Sequence, residues 1–357
     1  MKDLLEYTLL LGLAWPLSSA AQVERTPPTV STLAGSADGK GKQSLDGAGT
    51  AARFDWPMGL AVAADGTVYV TDTYQHTIRQ ITPAGLVTTL AGSPSAMGSQ
   101  DGLGAVARFN HPVGLAVAST GVLYVADIDN HTIRSITPAG LVQTVAGVAD
   151  SKGSADGPVA SARFNSPYAI VLGSEGELYV ADTYNHTIRK ITAAGVVSTV
   201  AGLAGSKGYA DGAASQARFN HPSSIARATD GTLYVADDDN QLVRKITPAG
   251  VVTTLAGTPG KKGFAEGPAQ MARFHAPTSV AVAATGTVYV ADYINSVIRR
   301  ITPDGQVSTF AGRFKGWGHL DGSPQEARFK FPFGVAVGPM GWVYVADTGN
   351  RTIRLVK

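Results

Sequence analysis

The sequence predicts an all-β fold, a six-bladed β-propeller of four-stranded antiparallel blades, and three observations carry that prediction. One aspartate recurs six times at a constant interval: Asp72, Asp127, Asp182, Asp237, Asp292 and Asp347 lie 55 residues apart (127 − 72, 182 − 127 and so on), with no insertion or deletion. A period this long, repeated this often, marks an array of one supersecondary unit. Each unit reads as four short strands separated by turn residues. The last copy stops one strand short, and the missing strand's sequence stands alone near the amino end.

The first copy shows the elements in order. Gly59 to Ala63 is a short apolar run, followed by the turn pair Asp65-Gly66. Thr67 to Thr71 alternates Val68 and Val70 with Thr67, Tyr69 and Thr71, the period of a half-buried strand. The loop Asp72 to His76 follows, and Thr77 to Ile81 alternates again around Arg79. Pro83-Ala84-Gly85 supplies the next turn, and Leu86 to Leu90 closes the unit at Ala91-Gly92. A long segment then runs through Asp101-Gly102 and Arg108-Phe109 to Pro112, where the next copy starts.

The ends of the chain select a closed ring over an open solenoid. The last copy ends at Leu355-Val356-Lys357, after its third strand, while Val30-Ser31-Thr32-Leu33-Ala34-Gly35 repeats the fourth-strand sequence without a parent unit. The amino-terminal strand is therefore expected to complete the last blade and hide two sheet edges. Residues 29–357 form one propeller on this reading, residues 22–28 a linker and residues 1–21 a signal peptide. The apolar stretch Thr8 to Leu17 precedes the small-residue run Ser18-Ser19-Ala20-Ala21, although Asp3 and Glu6 offset Lys2. Ten or so apolar residues are too few to cross a bilayer core of ~30 Å, so no stable membrane span is expected. The expected location is secreted or periplasmic, as a monomer. The chain has no cysteine, so an exported fold must hold by packing alone. A net charge of +2, from 29 basic and 27 acidic residues without a long basic run, excludes a nucleic-acid surface driven by bulk charge.

The segment Tyr179-Val180-Ala181-Asp182-Thr183-Tyr184-Asn185-His186-Thr187-Ile188-Arg189-Lys190-Ile191, followed by Gly195 and Ala201-Gly202, resembles the NHL repeat, and the match recurs in all six units. The resemblance implies a six-bladed propeller. It does not imply one activity, because the family mixes binding scaffolds with a few enzymes.

Comparing the six copies separates fixed columns from varying ones. Arg53, Arg108, Arg163, Arg218, Arg273 and Arg328 are each followed by phenylalanine. A second arginine set is Arg79, Arg134, Arg189, Arg244, Arg299 and Arg354, and a second acidic set is Asp46, Asp101, Asp156, Asp211, Glu266 and Asp321. Residues present six times in one ring are read as structural: arginine–carboxylate pairs within and between blades, with phenylalanine wedged between neighbours. Arg163→Ala is expected to lower the melting temperature. The column two after the proline (Gly59, Gly114, Ala169, Ser224, Ser279, Gly334) is always small, as convergence of the innermost strands near the axis requires.

Variation concentrates on one face. The loops after the repeated aspartates and the segments between blades are both assigned to that face, and broken symmetry there is the function signal. Trp56, Tyr168, Trp317, Phe331 and Phe333 are candidate partner anchors, and His111 and His221 candidate contacts for a small ligand near the axis. His76, His131 and His186 share a column, but equivalent points on adjacent blades are roughly 10 Å or more apart. They cannot share a zinc ion that needs nitrogens at ~2.1 Å, and are expected to cap the turn or face solvent. A related propeller lyase carries zinc histidines directly after the matching proline; here that column reads Met58, Val113, Tyr168, Ser223, Thr278 and Phe333. No catalytic residue, metal site or cofactor is predicted, with calcium left open by Asn110, Asn165 and Asn220. The expected function is a binding scaffold for a protein, peptide or glycan. The alternative is a calcium- or zinc-dependent lactonase or lyase at the channel mouth.

Overall fold

The computed structural model describes residues 27–38 and 43–357. The proposed signal peptide and most of the linker lie outside the described residues. Six antiparallel sheets form the six blades of a propeller. In the third blade the strands run outward from the axis as Pro167–Leu172, Leu178–Asp182, Thr187–Ile191 and Val196–Gly202. The other blades repeat this order. The last blade is completed by Val30–Gly35, which pairs antiparallel with Thr352–Val356 and so joins the two ends of the chain. Val30 and Ala34 are buried in the seam.

The blades carry one more element than the sequence reading assigned. Gly157–Pro158 pairs with Val196–Val197 as a two-residue fifth strand on the outer edge of the third blade. Its counterparts sit on the first, second, fourth and fifth blades, and a Val30–Gly322 bridge does the same on the sixth. Each inter-blade segment therefore leaves the variable face, descends the rim of the next blade and returns before the next proline. Only its ends lie on the variable face, which corrects the assignment of whole segments to it. The rim strand covers what would otherwise be an exposed edge.

The core is a set of six apolar clusters, each shared by two blades. Ala126, Ile133 and Ala146 of the second blade meet Phe164, Ile170, Val180 and Ile191 of the third. Phe164 and its five counterparts are almost fully buried, as the wedge reading expects. Each contributes roughly 1.5–3 kcal/mol.

The two arginine sets divide the structural work unequally. Arg189 is fully buried: its guanidinium donates to Asp182 (2.7 Å), Asp156 (2.6 Å) and the carbonyls of Arg163 and Ala155, and lies over the Phe164 ring. It therefore ties a strand to the inter-blade segment that precedes its blade. The pattern recurs at Arg79, Arg134, Arg244 and Arg354. In the fifth blade Glu266 binds Thr309 instead, and Arg299 is held between the Phe264 and Phe274 rings. The other set does not pair with carboxylates as expected. Arg163 donates to the carbonyls of Ser161 and Ala162, and Arg53, Arg108, Arg218 and Arg328 likewise bind carbonyls of the tight turn before them. Among these, Arg53 adds a carboxylate, Asp38. The reason is position: these side chains sit on the partly exposed rim, beside turn carbonyls that would otherwise lack donors.

Candidate functional site

The axis is nearly closed. The channel, lined by Met58, Val113, Tyr168, Ser223, Thr278 and Phe333 with the small column beside them, encloses about 80 Å³. A Cβ on Gly59 would stand 1.9 Å from the Val113 carbonyl oxygen, and one on Gly334 2.0 Å from that of Met58. The small column thus sets how closely the innermost strands approach. Where serine replaces glycine it adds a bond, since Ser224 and Ser279 accept from the Val280 and Val335 N–H groups of the next blade.

The six repeated aspartates open the loops of the variable face but do not face outward. Asp182 is fully buried; it accepts from Arg189, Asn185 Nδ2 (2.7 Å) and the Asn165 N–H (2.8 Å). Burial raises its carboxyl and those donors pull it back part of the way, leaving it at about 6. Asp72, Asp127, Asp237, Asp292 and Asp347 stand in the same setting. These are fold-holding carboxylates, as the sixfold repetition implied.

The shared histidines cap the turn after the aspartate, the His76, His131 and His186 N–H groups donating to the Thr73, Ile128 and Thr183 carbonyls, and their side chains also bond the next blade. His76, His131 and His186 accept through Nδ1 from the N–H groups of His111, Ser166 and His221. Gln241 and Ser296 do the same for Ala276 and Phe331. Burial lowers the pKa of all three imidazoles, which keeps Nδ1 free to accept. The donating residues His111, Ser166, His221, Ala276 and Phe331, and Trp56 at the same position of the first blade, all adopt left-handed backbone, with φ between 50° and 60°. Six non-glycine residues held in that region need an over-determining frame.

Beyond this frame, the ring contacts of the variable face break sixfold symmetry. Trp56 and Tyr74 meet His111 and His76 where blades one and two join. Tyr184 and His186 meet His221 where blades three and four join. Tyr293 meets Phe331 and Phe333 where blades five and six join, with Trp317 on Phe331. In the first two clusters the histidine also pairs with a carboxylate, His111 with Asp129 (2.7 Å) and His221 with Asp239 (2.5 Å). The clusters occupy alternate junctions, so a threefold pattern is laid over the sixfold one. A cavity of about 150 Å³ beside the second cluster is lined by Tyr168, Tyr184, His221, Ser223, Asp238 and Asp239. Among the described residues no group of three or more His, Asp or Glu side chains is disposed to share a metal ion.

The NHL-repeat family model matches residues 54–81, 109–134 and 164–191, three of the six units just described. The chain is an NHL-repeat propeller. It is 28% identical over 326 residues to NHL repeat-containing protein 2 of Bos taurus, covering 80% of this chain and 44% of the relative. It is 31% identical over 283 residues to Protein SUPPRESSOR OF QUENCHING 1, chloroplastic, of Arabidopsis thaliana, covering 74% of this chain and 26% of the relative. The chain thus spans less than half the length of these relatives. Among solved structures, an auxiliary nutrient binding protein from Bacteroides thetaiotaomicron superposes with a TM-score of 0.70 at 17% identity, over 93% of this chain and 77% of the other. A gluconolactonase from Xanthomonas campestris superposes with a TM-score of 0.59 at 14% identity, over 93% and 95%. At these identities the structures share the fold alone.

Within this NHL propeller the seven predicted site residues do not form one patch. Tyr168 and Phe333 line the channel, while Trp56, His111, His221 and Phe331 sit half-buried in the junction clusters. Of the seven, only Trp317 is strongly exposed, at 60%. The more accessible rings are Tyr74 and Tyr184, which the sequence reading did not single out, and the carboxylates Asp129, Asp238 and Asp239 were missed with them. A signal was available: His111 with Asp129 recurs as His221 with Asp239, 110 residues or two units later (221 − 111, 239 − 129).

Proposed function

We propose that this propeller is an exported binding scaffold that takes a protein or peptide segment on the face bearing the three aromatic clusters. The observation carrying this reading is the threefold departure from sixfold symmetry. A feature required by the blade would appear six times, whereas the ring contacts appear at alternate junctions and leave Tyr74, Tyr184 and Trp317 exposed beside them. Aromatic side chains that present large rigid area beside polar groups are the usual anchors of interfaces. The opposite edge also exposes apolar side chains, but Leu86, Leu141, Val196 and Val251 share one column and so belong to the repeat.

The test compares two variants of the full chain as bait for partners in the native envelope or culture fluid. Changing Tyr74, Tyr184 and Trp317 together to serine is expected to abolish capture without lowering the melting temperature. Met340→Ser, on the far face, is expected to leave capture intact. The reverse pattern overturns the assignment. Export rests on the sequence of residues 8–21, and is tested by amino-terminal sequencing of the protein recovered from the native host: a start at residue 21 or 22 supports it, an intact Met1 refutes it.

A further inference from the structure

The cavity where blades three and four join carries an acidic residue, Asp238, in a column that is uncharged in the other five blades. The residue after the repeated aspartate is Thr73, Ile128, Thr183, Asp238, Tyr293 and Thr348 in the six blades. The three threonines make the same inter-blade bond, their hydroxyls donating to the carbonyls of Pro112, Pro222 and Pro57 on the following blade. Asp238 replaces that donor with an acceptor. The matching carbonyl, that of Pro277, is approached instead by the Ser223 hydroxyl at 3.4 Å.

Asp238 also lacks the compensation its neighbours have. Asp237 is paired with Arg244, and Asp239 with His221. Among the described residues no hydrogen-bond donor reaches the Asp238 carboxylate, and no lysine or arginine lines the cavity. Burial, with Asp239 and Asp237 close by, pushes the Asp238 carboxyl up to about 7. A partly buried, unpaired carboxylate costs stability, and here a threonine would remove the cost and restore an inter-blade bond. The surroundings fit one compensating partner. The Tyr168 and Tyr184 rings and the Ser223 hydroxyl line the same space, and tyrosine faces attract cations. At about 150 Å³ the cavity holds several waters at ~30 Å³ each, room for the tip of a long side chain.

We propose that this cavity receives a side-chain cation of the partner, the ammonium of a lysine or the guanidinium of an arginine, with Asp238 as its counter-ion. The inference rests on the reading of this face as the partner surface, and gives that partner its chemistry: a basic peptide segment rather than a neutral glycan.

The probes are N-acetyl-L-arginine amide and N-acetyl-L-lysine amide, with N-acetyl-L-citrulline amide as the neutral isostere. Each is titrated into the full chain and followed by chemical-shift perturbation and thermal shift. The citrulline compound, and Asp238→Asn with the arginine compound, should each bind about tenfold more weakly or worse. Asp238→Thr should raise the melting temperature of the free protein while losing the response to both cations. Equal binding of citrulline amide, unchanged binding by Asp238→Asn, or a response to calcium or to neutral oligosaccharides in place of the cations overturns the inference. The two readings fail separately. If the cations do not bind yet the triple serine variant still loses its partner, only the cation site falls. If that variant keeps its partner, the face assignment falls.

Discussion

Replacing Arg189 with alanine tests how the blades are held together, because it removes a buried group on which two carboxylates and two carbonyls converge. Its guanidinium is 0% exposed and meets Asp182 at 2.7 Å and Asp156 at 2.6 Å, besides two carbonyls of the inter-blade segment. After the change Asp182 stays buried with two neutral donors, the Asn165 N–H and Asn185 Nδ2, and no cation. Breaking a buried pair from one side in this way costs about 3–5 kcal/mol. Arg163→Ala removes only donations to the Ser161 and Ala162 carbonyls at the partly exposed rim, a loss of about 0.5–1.5 kcal/mol. Urea unfolding at neutral pH, followed by tryptophan fluorescence, measures both. The midpoint of Arg189→Ala should fall well below that of Arg163→Ala, and Asp182→Asn added to Arg189→Ala should recover part of the loss by removing the stranded charge. Equal midpoints for the two alanine variants would refute the division of labour between the arginine sets.

Three other outcomes follow from the same geometry. Gly59→Ala forces a methyl against the Val113 carbonyl and should destabilise by roughly 1–3 kcal/mol, whereas Ala169→Gly at the equivalent position should cost far less; thermal melts of the two decide it. Deleting residues 30–35 exposes the edge strand Thr352–Val356 and should produce aggregation or a large loss of stability by light scattering and melting, and a deleted chain that stays monomeric and equally stable would sink ring closure. Asp238 has a folded pKa raised from 3.8 to about 7, so the protonated form stabilises the fold and that contribution is lost as pH rises through about 7. Melting temperatures of the native protein and Asp238→Asn should therefore draw apart between pH 4 and 7, the native protein falling relative to the variant, with the facing groups His221, His186 and Asp239 common to both.

The fold was legible because repetition averages away local ambiguity. Any one stretch such as Thr77 to Ile81 could be a strand or a buried turn of helix, but six copies at one spacing, with an orphan fourth strand at Val30–Gly35, leave a closed propeller. The small column was legible for the same reason, and its close contacts at Gly59 and Gly334 follow from strand convergence. The rim strands were not, because a two-residue element such as Gly157–Pro158 has no period to detect. The partners of Arg163 were not legible either: a recurring arginine is visible in the chain, but whether carboxylates or turn carbonyls lie within its reach is not. The site was the least legible part. The recurrence of His111–Asp129 as His221–Asp239 spans two units and so does not show in single-unit columns, and what Asp238 replaces is defined only by the hydrogen bonds of Thr73, Thr183 and Thr348.

The central claim, that the partner sits on the face with the threefold aromatic pattern, is tested most directly by site-specific photocrosslinking. A benzophenone amino acid placed at position 184, and separately at position 340 on the opposite face, is irradiated in the presence of the native partner fraction. Crosslinks from position 184 and none from position 340 are the predicted result. Crosslinks from position 340 alone would contradict the account.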